Sequence, residues 1–156
     1  MKWMKLCHIL FAEIWFGATL CLTVLSIFCF SLEQTSDFLP VLSIIPQAFR
    51  YLVLPVGMCC FIQGIIYGLF TKFGFFRHGW LVAKWILSIL TGICVGIGGV
   101  STLREVLDAA AANPSAMITW MDGAYYFLFL FLQLAMLLSI NVISVWKPKQ
   151  KKNIPN

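Results

Sequence analysis

Hydrophobic positions gather into four long runs, from about Leu6 to Leu32, Tyr51 to Phe70, Trp80 to Leu103 and Tyr125 to Trp146. Each holds the roughly 20 mostly apolar residues that an α-helix needs to cross a hydrocarbon core of about 30 Å. Short connections predict that sequential helices are antiparallel neighbours. The pattern therefore predicts an all-α, four-helix transmembrane bundle forming a single domain over residues 1–156. Loop one, Glu33 to Arg50, carries Pro40 and Pro46 among apolar residues, and a short interfacial helix on the outer face is expected there. Loop three contains Asp108, an alanine run and then Asn113-Pro114, which reads as a short helix ended by a turn.

Composition agrees with this reading. Hydrophobic residues make up 61% of the chain and charged residues 11%, far from the usual soluble balance of about 25% charged. A soluble enzyme, a secreted disulfide module and a disordered chain are excluded as classes. Nine of the eleven basic residues lie at the N-terminus, in or beside loop two, or in the tail, whereas loops one and three hold five of the six acids. The positive-inside rule then places the N- and C-termini and loop two in the cytoplasm. An even number of spans returns the chain to its starting side, so topology and helix count agree. The basic tail from Lys147 to Lys152 is read as a topology anchor, with no nucleic-acid partner. The first apolar run is too long for a signal peptide, contains Glu13 and lacks a cleavage pattern, so it is expected to be a retained helix.

Polar residues inside the runs carry the candidate chemistry, because intramembrane ionisable groups are costly and usually face the bundle interior. With both termini inside, His8 lies roughly 5 Å deep, Lys84 roughly 6 Å, Asn141 roughly 9 Å, and Glu13 and Gln63 roughly 12 Å. Each helix thus contributes to one layer in the cytoplasmic half. On helix three, Lys84, Ser88, Thr91, Gly98 and Thr102 share a face; on helix one, His8, Ala12, Trp15, Thr19 and Ser26 form a similar stripe. Glu13 sits about 140° from His8, facing a different neighbour. Glu13 and Lys84 are the only opposite charges in the layer. They read either as a structural ion pair, the preferred reading, or as a proton-relay carboxylate with its partner.

His8 has the chemistry of an axial haem ligand, or of a residue at the helix end near the headgroups. The six cysteines all lie in spans without C-x-x-C spacing, and small apolar packing explains them better than metal or redox chemistry. Met58, Met117 and Met121 are assigned to packing ahead of soft copper. Gly64-x-x-x-Gly68 and Gly92-x-x-x-Gly96 are expected to pack helices two and three closely, or to form the face of a homodimer or a contact with another membrane protein. The chain has no Ser-His-Asp set, zincin motif or P-loop.

Leu54-Pro55-Val56-Gly57, Gly64, Gly68 and the run from Lys72 to Lys84 resemble an uncharacterised family of small bacterial four-helix integral membrane proteins. The same plan is similar to the HemJ-type protoporphyrinogen oxidases and, more loosely, to the CopD-type copper-resistance proteins. The HemJ-type likeness rests on Lys5-Leu6-Cys7-His8-Ile9, Trp15-Phe16-Gly17 and the lysine that follows Gly79-Trp80-Leu81, here Lys84. It implies His8 as a ligand to the iron of haem b, Lys84 as its functional partner, and the inner membrane of a bacterium as the location. Where the HemJ-type pattern has an arginine past the helix-one glycine region, this chain has apolar residues near Val24. The leading expectation is a multi-pass protein that binds haem b or a quinone- or porphyrin-type ligand through His8, Glu13, Gln63, Lys84 and Asn141. The alternative is a non-catalytic accessory or scaffold protein whose buried polar groups only fix helix packing.

Overall fold

The four apolar runs fold as four helical rods in a computed structural model that describes residues 2–31, 35–70, 79–113 and 119–146. The first rod is α1, Lys2–Phe30. The second joins α2, Thr35–Ala48, to α3, Leu54–Phe70, through a π-helical segment at Phe49–Val53. The third joins α4, Gly79–Ile93, to α5, Val100–Ala112, through a second π-helical segment at Cys94–Gly99. The fourth is α6, Ala124–Trp146. No strand occurs among the described residues. Each rod contains a stretch long and apolar enough to cross a membrane: Trp3–Phe30, Leu39–Ile66, Gly79–Ala112 and Ala124–Val145.

The second and third rods are longer than their hydrophobic runs predict. The third has 34 residues, about 51 Å at 1.5 Å per residue, well beyond a bilayer core of about 30 Å. The helices expected in loops one and three are therefore continuations of helices two and three. α2 and α5 pack on each other, burying Leu42, Ile45, Leu103, Val106 and Ala110. Rod two continues past Pro40, Pro46 and Pro55, although each proline removes a backbone donor and crowds the preceding turn. The wide π turn between Pro46 and Pro55 absorbs that mismatch. Leu42, Ile45, Phe49 and Val53 recur at helical spacing and are at most 3% exposed, so packing against the neighbouring helices holds the rod together. α5 ends where expected. Asn113 leaves the helix at φ −138° and ψ 81°, as suits a residue that precedes a proline.

Directions alternate along the chain. α1 packs between α3 and α6, and α6 packs along the third rod, whereas the backbones of α3 and α4 stand apart and meet through Phe61, Gly64 and Trp85. The bundle is thus a ring left open between α3 and α4. This departs from close packing of helices two and three through Gly92 and Gly96, although Gly64 does lie beside Trp85 of α4. A Cβ at Gly92 or Gly96 would meet nothing within 4 Å, so these glycines do not draw α4 onto α3. Close approach occurs at other glycines. Gly98 lies directly against the Phe129 ring, and a Cβ at Gly123 would come within 2.5 Å of Phe30. At the second π segment, Thr102 Oγ1 donates to the Gly98 carbonyl at 2.6 Å and Ser101 Oγ to the Gly96 carbonyl at 3.1 Å.

Before α6, Thr119 to Gly123 form a turn. Asp122 Oδ2 accepts the Thr119 N–H at 2.7 Å and its hydroxyl at 2.8 Å. These bonds favour the charged form and hold the Asp122 carboxyl below its ordinary value.

Candidate functional site

Inward faces follow the predicted periodicity. Trp15, Thr19, Ser26, Thr91 and Gly98 are buried, while His8, Ala12, Lys84, Ser88 and Thr102 are half-buried. Three polar levels result, and two of them tie α1 to α6. Nearest the α1–α2 and α5–α6 connections, Ser26 and Tyr126 share a hydrogen bond of 2.6 Å. In the middle, Gln133 Nε2 donates to Thr19 Oγ1 at 3.3 Å, with Gln133 only 1% exposed. Thr19, Thr23 and Ser26 also donate to carbonyls one turn back in α1. Each such pair is worth about 0.6 kcal/mol on average in a membrane and at most about 1.7.

The third level lies toward the terminal end of the bundle. His8 Nδ1 faces Cys60 Sγ at 3.7 Å. A Cβ at Gly64 would lie 3.9 Å from His8 Cε1 and 3.6 Å from the Trp85 ring, so the histidine, the glycine and the tryptophan are neighbours. Lys84 Nζ donates to Ser144 Oγ, and that hydroxyl donates to the Ile140 carbonyl at 2.7 Å. The same ammonium sits 5.4 Å from the centre of the Trp80 ring. His8 neighbours Trp85, the residue after Lys84, so His8 and Lys84 belong to one end of the bundle and one cluster. The Gln63 side-chain oxygen is buried and has no hydrogen-bond partner. Asn141 is half-buried on α6, three residues before Ser144.

Glu13 stands apart. It is exposed on the outside of α1, and among the described residues it pairs with neither Lys84 nor any other cation. The expected Glu13–Lys84 ion pair is therefore not formed. The offset of about 140° turns Glu13 away from the bundle once His8 faces it. The polar layer also includes groups that the sequence reading left out. Cys60 and Ser144 are direct partners of His8 and Lys84, and Tyr126 and Gln133 supply the α6 side of the other two levels. Gln133 did carry a signal, as a lone amide in the middle of an otherwise apolar run.

The open side of the ring forms a cleft of ≈ 340 Å³ between α3 and α4, within the size range of small-ligand sites. Trp15 of α1 closes its inner side. The Trp15 ring packs on Gly57, where a Cβ would come within 3.1 Å of it. Leu54, Met58, Ile62 and Ile89 line the cleft and are themselves exposed, so it opens sideways onto the outer face of the bundle. Both π segments contribute to the wall, through Val53 and Val95, and Ser88 supplies its one hydroxyl. π-Helical turns recur at functional sites. The Trp15 Nε1 is buried without a hydrogen-bond partner, a condition rare enough to need a reason. Phe61, also on the wall, meets Trp85 edge-on at 5.0 Å between ring centres. This pair stands between the cleft and the His8 cluster.

The donor set limits what the site can hold. Among the described residues no group of three or more His, Cys, Asp or Glu is placed for a metal ion. His8 offers a single imidazole and does not line the cleft. No protein-family model, curated protein or solved structure matches this chain.

Proposed function

We propose that this is a multi-pass membrane protein that binds a flat, lipid-soluble ring compound of the quinone class in the cleft between α3 and α4. The observation that carries this reading is the sideways opening of an apolar cleft between two rods whose backbones stand apart. A ligand dissolved in the bilayer enters such a site without crossing water. Aromatic and aliphatic walls suit its ring and tail, and the Ser88 hydroxyl donates to a ring carbonyl. Behind Phe61 and Trp85, His8 and Lys84 supply exchangeable protons one turn from the ligand. A porphyrin ligated by His8 is less favoured, because the imidazole faces Cys60 and Trp85 and the cleft runs along other residues.

Titration of the purified protein in nanodiscs with a short-chain naphthoquinone tests this reading. Saturable binding is expected. Gly92→Leu fills the cleft from a position whose Cβ meets no neighbour, so it is expected to fold normally and lose binding at least tenfold. Ser88→Ala removes one hydrogen bond worth about 0.5–1.5 kcal/mol and should weaken binding by about 2- to 13-fold. Absence of saturable binding, or undiminished binding by Gly92→Leu, sinks the proposal. A Soret band that is lost in His8→Ala would favour haem instead. A second reading, a scaffold without ligand, is favoured by the Thr19–Gln133 and Ser26–Tyr126 bonds, which join α1 to α6 with no ligand needed. It predicts a stable bundle that binds neither compound.

A further inference from the structure

We infer that the bundle hinges at one level, where the two π segments and the Gly17 turn of α1 lie side by side, and that bending there swings α1 and α3 away from α4 and α6 to open the cleft. The Phe61–Trp85 ring pair is the latch at the far end. The hinge is a property of the chain alone and stands whether or not a quinone binds.

Three observations carry it. First, the π segments share a level although they lie on different rods. Gly57 packs on the Trp15 ring. Val53 ends the first segment one turn before Gly57, and Phe49 begins it one turn earlier still. On the antiparallel α1, that segment therefore spans the level of Thr19 to Thr23. On the other side of α1, Gln133 bonds to Thr19, and Phe129, one turn before Gln133, lies against Gly98. Gly98 is thus level with Thr23, and Cys94, which begins the second segment, is level with Thr19.

Second, three rods are weakened at this level, while α6 runs through it unbroken. Pro55 brings no N–H to the turn after the first π segment. The second segment holds Gly96, Gly98 and Gly99, which lack the Cβ that restricts a helical backbone. On α1, Gly17 is exposed and a Cβ there would meet nothing within 4 Å. Just beyond it, the Thr19 and Thr23 hydroxyls donate to carbonyls one turn back, an arrangement that bends helices. Bends concentrate at such points.

Third, contacts differ on the two sides of the level. Toward the α1–α2 and α5–α6 connections, α2 packs on α5 and Ser26 bonds to Tyr126. Toward the termini the bundle divides into two leaves. His8–Cys60 and Trp15–Gly57 hold α3 to α1, and Lys84–Ser144 holds α4 to α6. Between α3 and α4 the leaves meet at Phe61, Gly64 and Trp85, at the end of the cleft farthest from the π segments. Hinge, cleft and latch thus follow one another along the bundle.

Electron–electron distance measurements in nanodiscs test the swing, with spin labels carried on a non-natural amino acid so that the native cysteines stay in place. Ile66 on α3 and Ile86 on α4 are exposed on the terminal side of the hinge; Ile44 on α2 and Asp108 on α5 are exposed beyond it. The Ile66–Ile86 pair should show a second, longer-distance population, and the Ile44–Asp108 pair a single narrow distance. Phe61→Leu and, from the other wall, Trp85→Leu loosen the latch and should each raise the longer-distance population at least twofold. Gly17→Ala adds a Cβ that meets nothing and should lower that population about two- to fivefold by favouring the straight helix. A single narrow Ile66–Ile86 distance in wild type and in both latch variants overturns the inference. Equal breadth for the two pairs, or no response to Gly17→Ala, overturns it as well.

Discussion

At the scale of single residues, hydrogen bonds decide which polar groups the fold accepts. Ser26, Tyr126, Thr19 and Gln133 are each at most 1% exposed, and each has a partner. Of the unpartnered atoms, Trp15 Nε1 belongs to a residue that lines the proposed ligand cleft, whereas Gln63 Oε1 belongs to one that does not. Outside the apolar stretches, Asp122 links the Thr119 turn to the start of α6. Its folded-state carboxyl titrates below the ordinary value, so its hydrogen bonds stabilise the turn fully above the unfolded value of about 3.9. That contribution is lost as the pH falls through the lowered folded-state value. The protection factor of the Thr119 amide, relative to its intrinsic exchange at each pH, should fall under acid in wild type. In Asp122→Ala it should be low at every pH, and equal protection in the two proteins near neutral pH would refute this role.

At the scale of helices, glycines with similar spacing do opposite things. Gly98 is buried against Phe129, while Gly96 is exposed with nothing near it. Gly98→Ala is therefore expected to cost about 1–3 kcal/mol through overpacking. Gly96→Ala should be neutral or stabilise by up to about 1 kcal/mol through the gain in helix propensity. Unfolding in mixed micelles would compare the two, and similar costs would mean that the contact between the second π segment and α6 is not as tight as described. Helical periodicity made the inward faces of α1 and of the third rod legible from Thr19, Ser26, Thr91 and Gly98. It did not make the role of Gly92 and Gly96 legible. A G-x-x-x-G spacing marks a smooth helix surface without saying whether a partner lies against it.

At the scale of the whole molecule, the alternating rods bring both ends of the described chain to one end of the bundle. The basic residues near those ends lead us to expect both termini on the cytoplasmic side. Reporter fusions at the N- and C-terminus should give the same cytoplasmic signal, and opposite signals would refute a four-span topology. The open ring explains how a small bundle combines stability with access. α1–α6 and α4–α6 contacts hold the molecule together, and the slack is concentrated between α3 and α4, where both rods pass through π turns.

Sequence alone determined the class of solvent, the number of helices and the angular position of each side chain around its own axis. Those properties follow from apolar run length and from 3.6 residues per turn, both local to the chain. Only the tertiary structure decided that α3 and α4 stand apart, that Cys60 and Ser144 partner His8 and Lys84, and that Glu13 faces outward. Those outcomes depend on how the rods rotate and translate against one another. That relative placement is set by side chains far apart in sequence, such as Gly98 with Phe129 and Ser26 with Tyr126, and no single helix contains it.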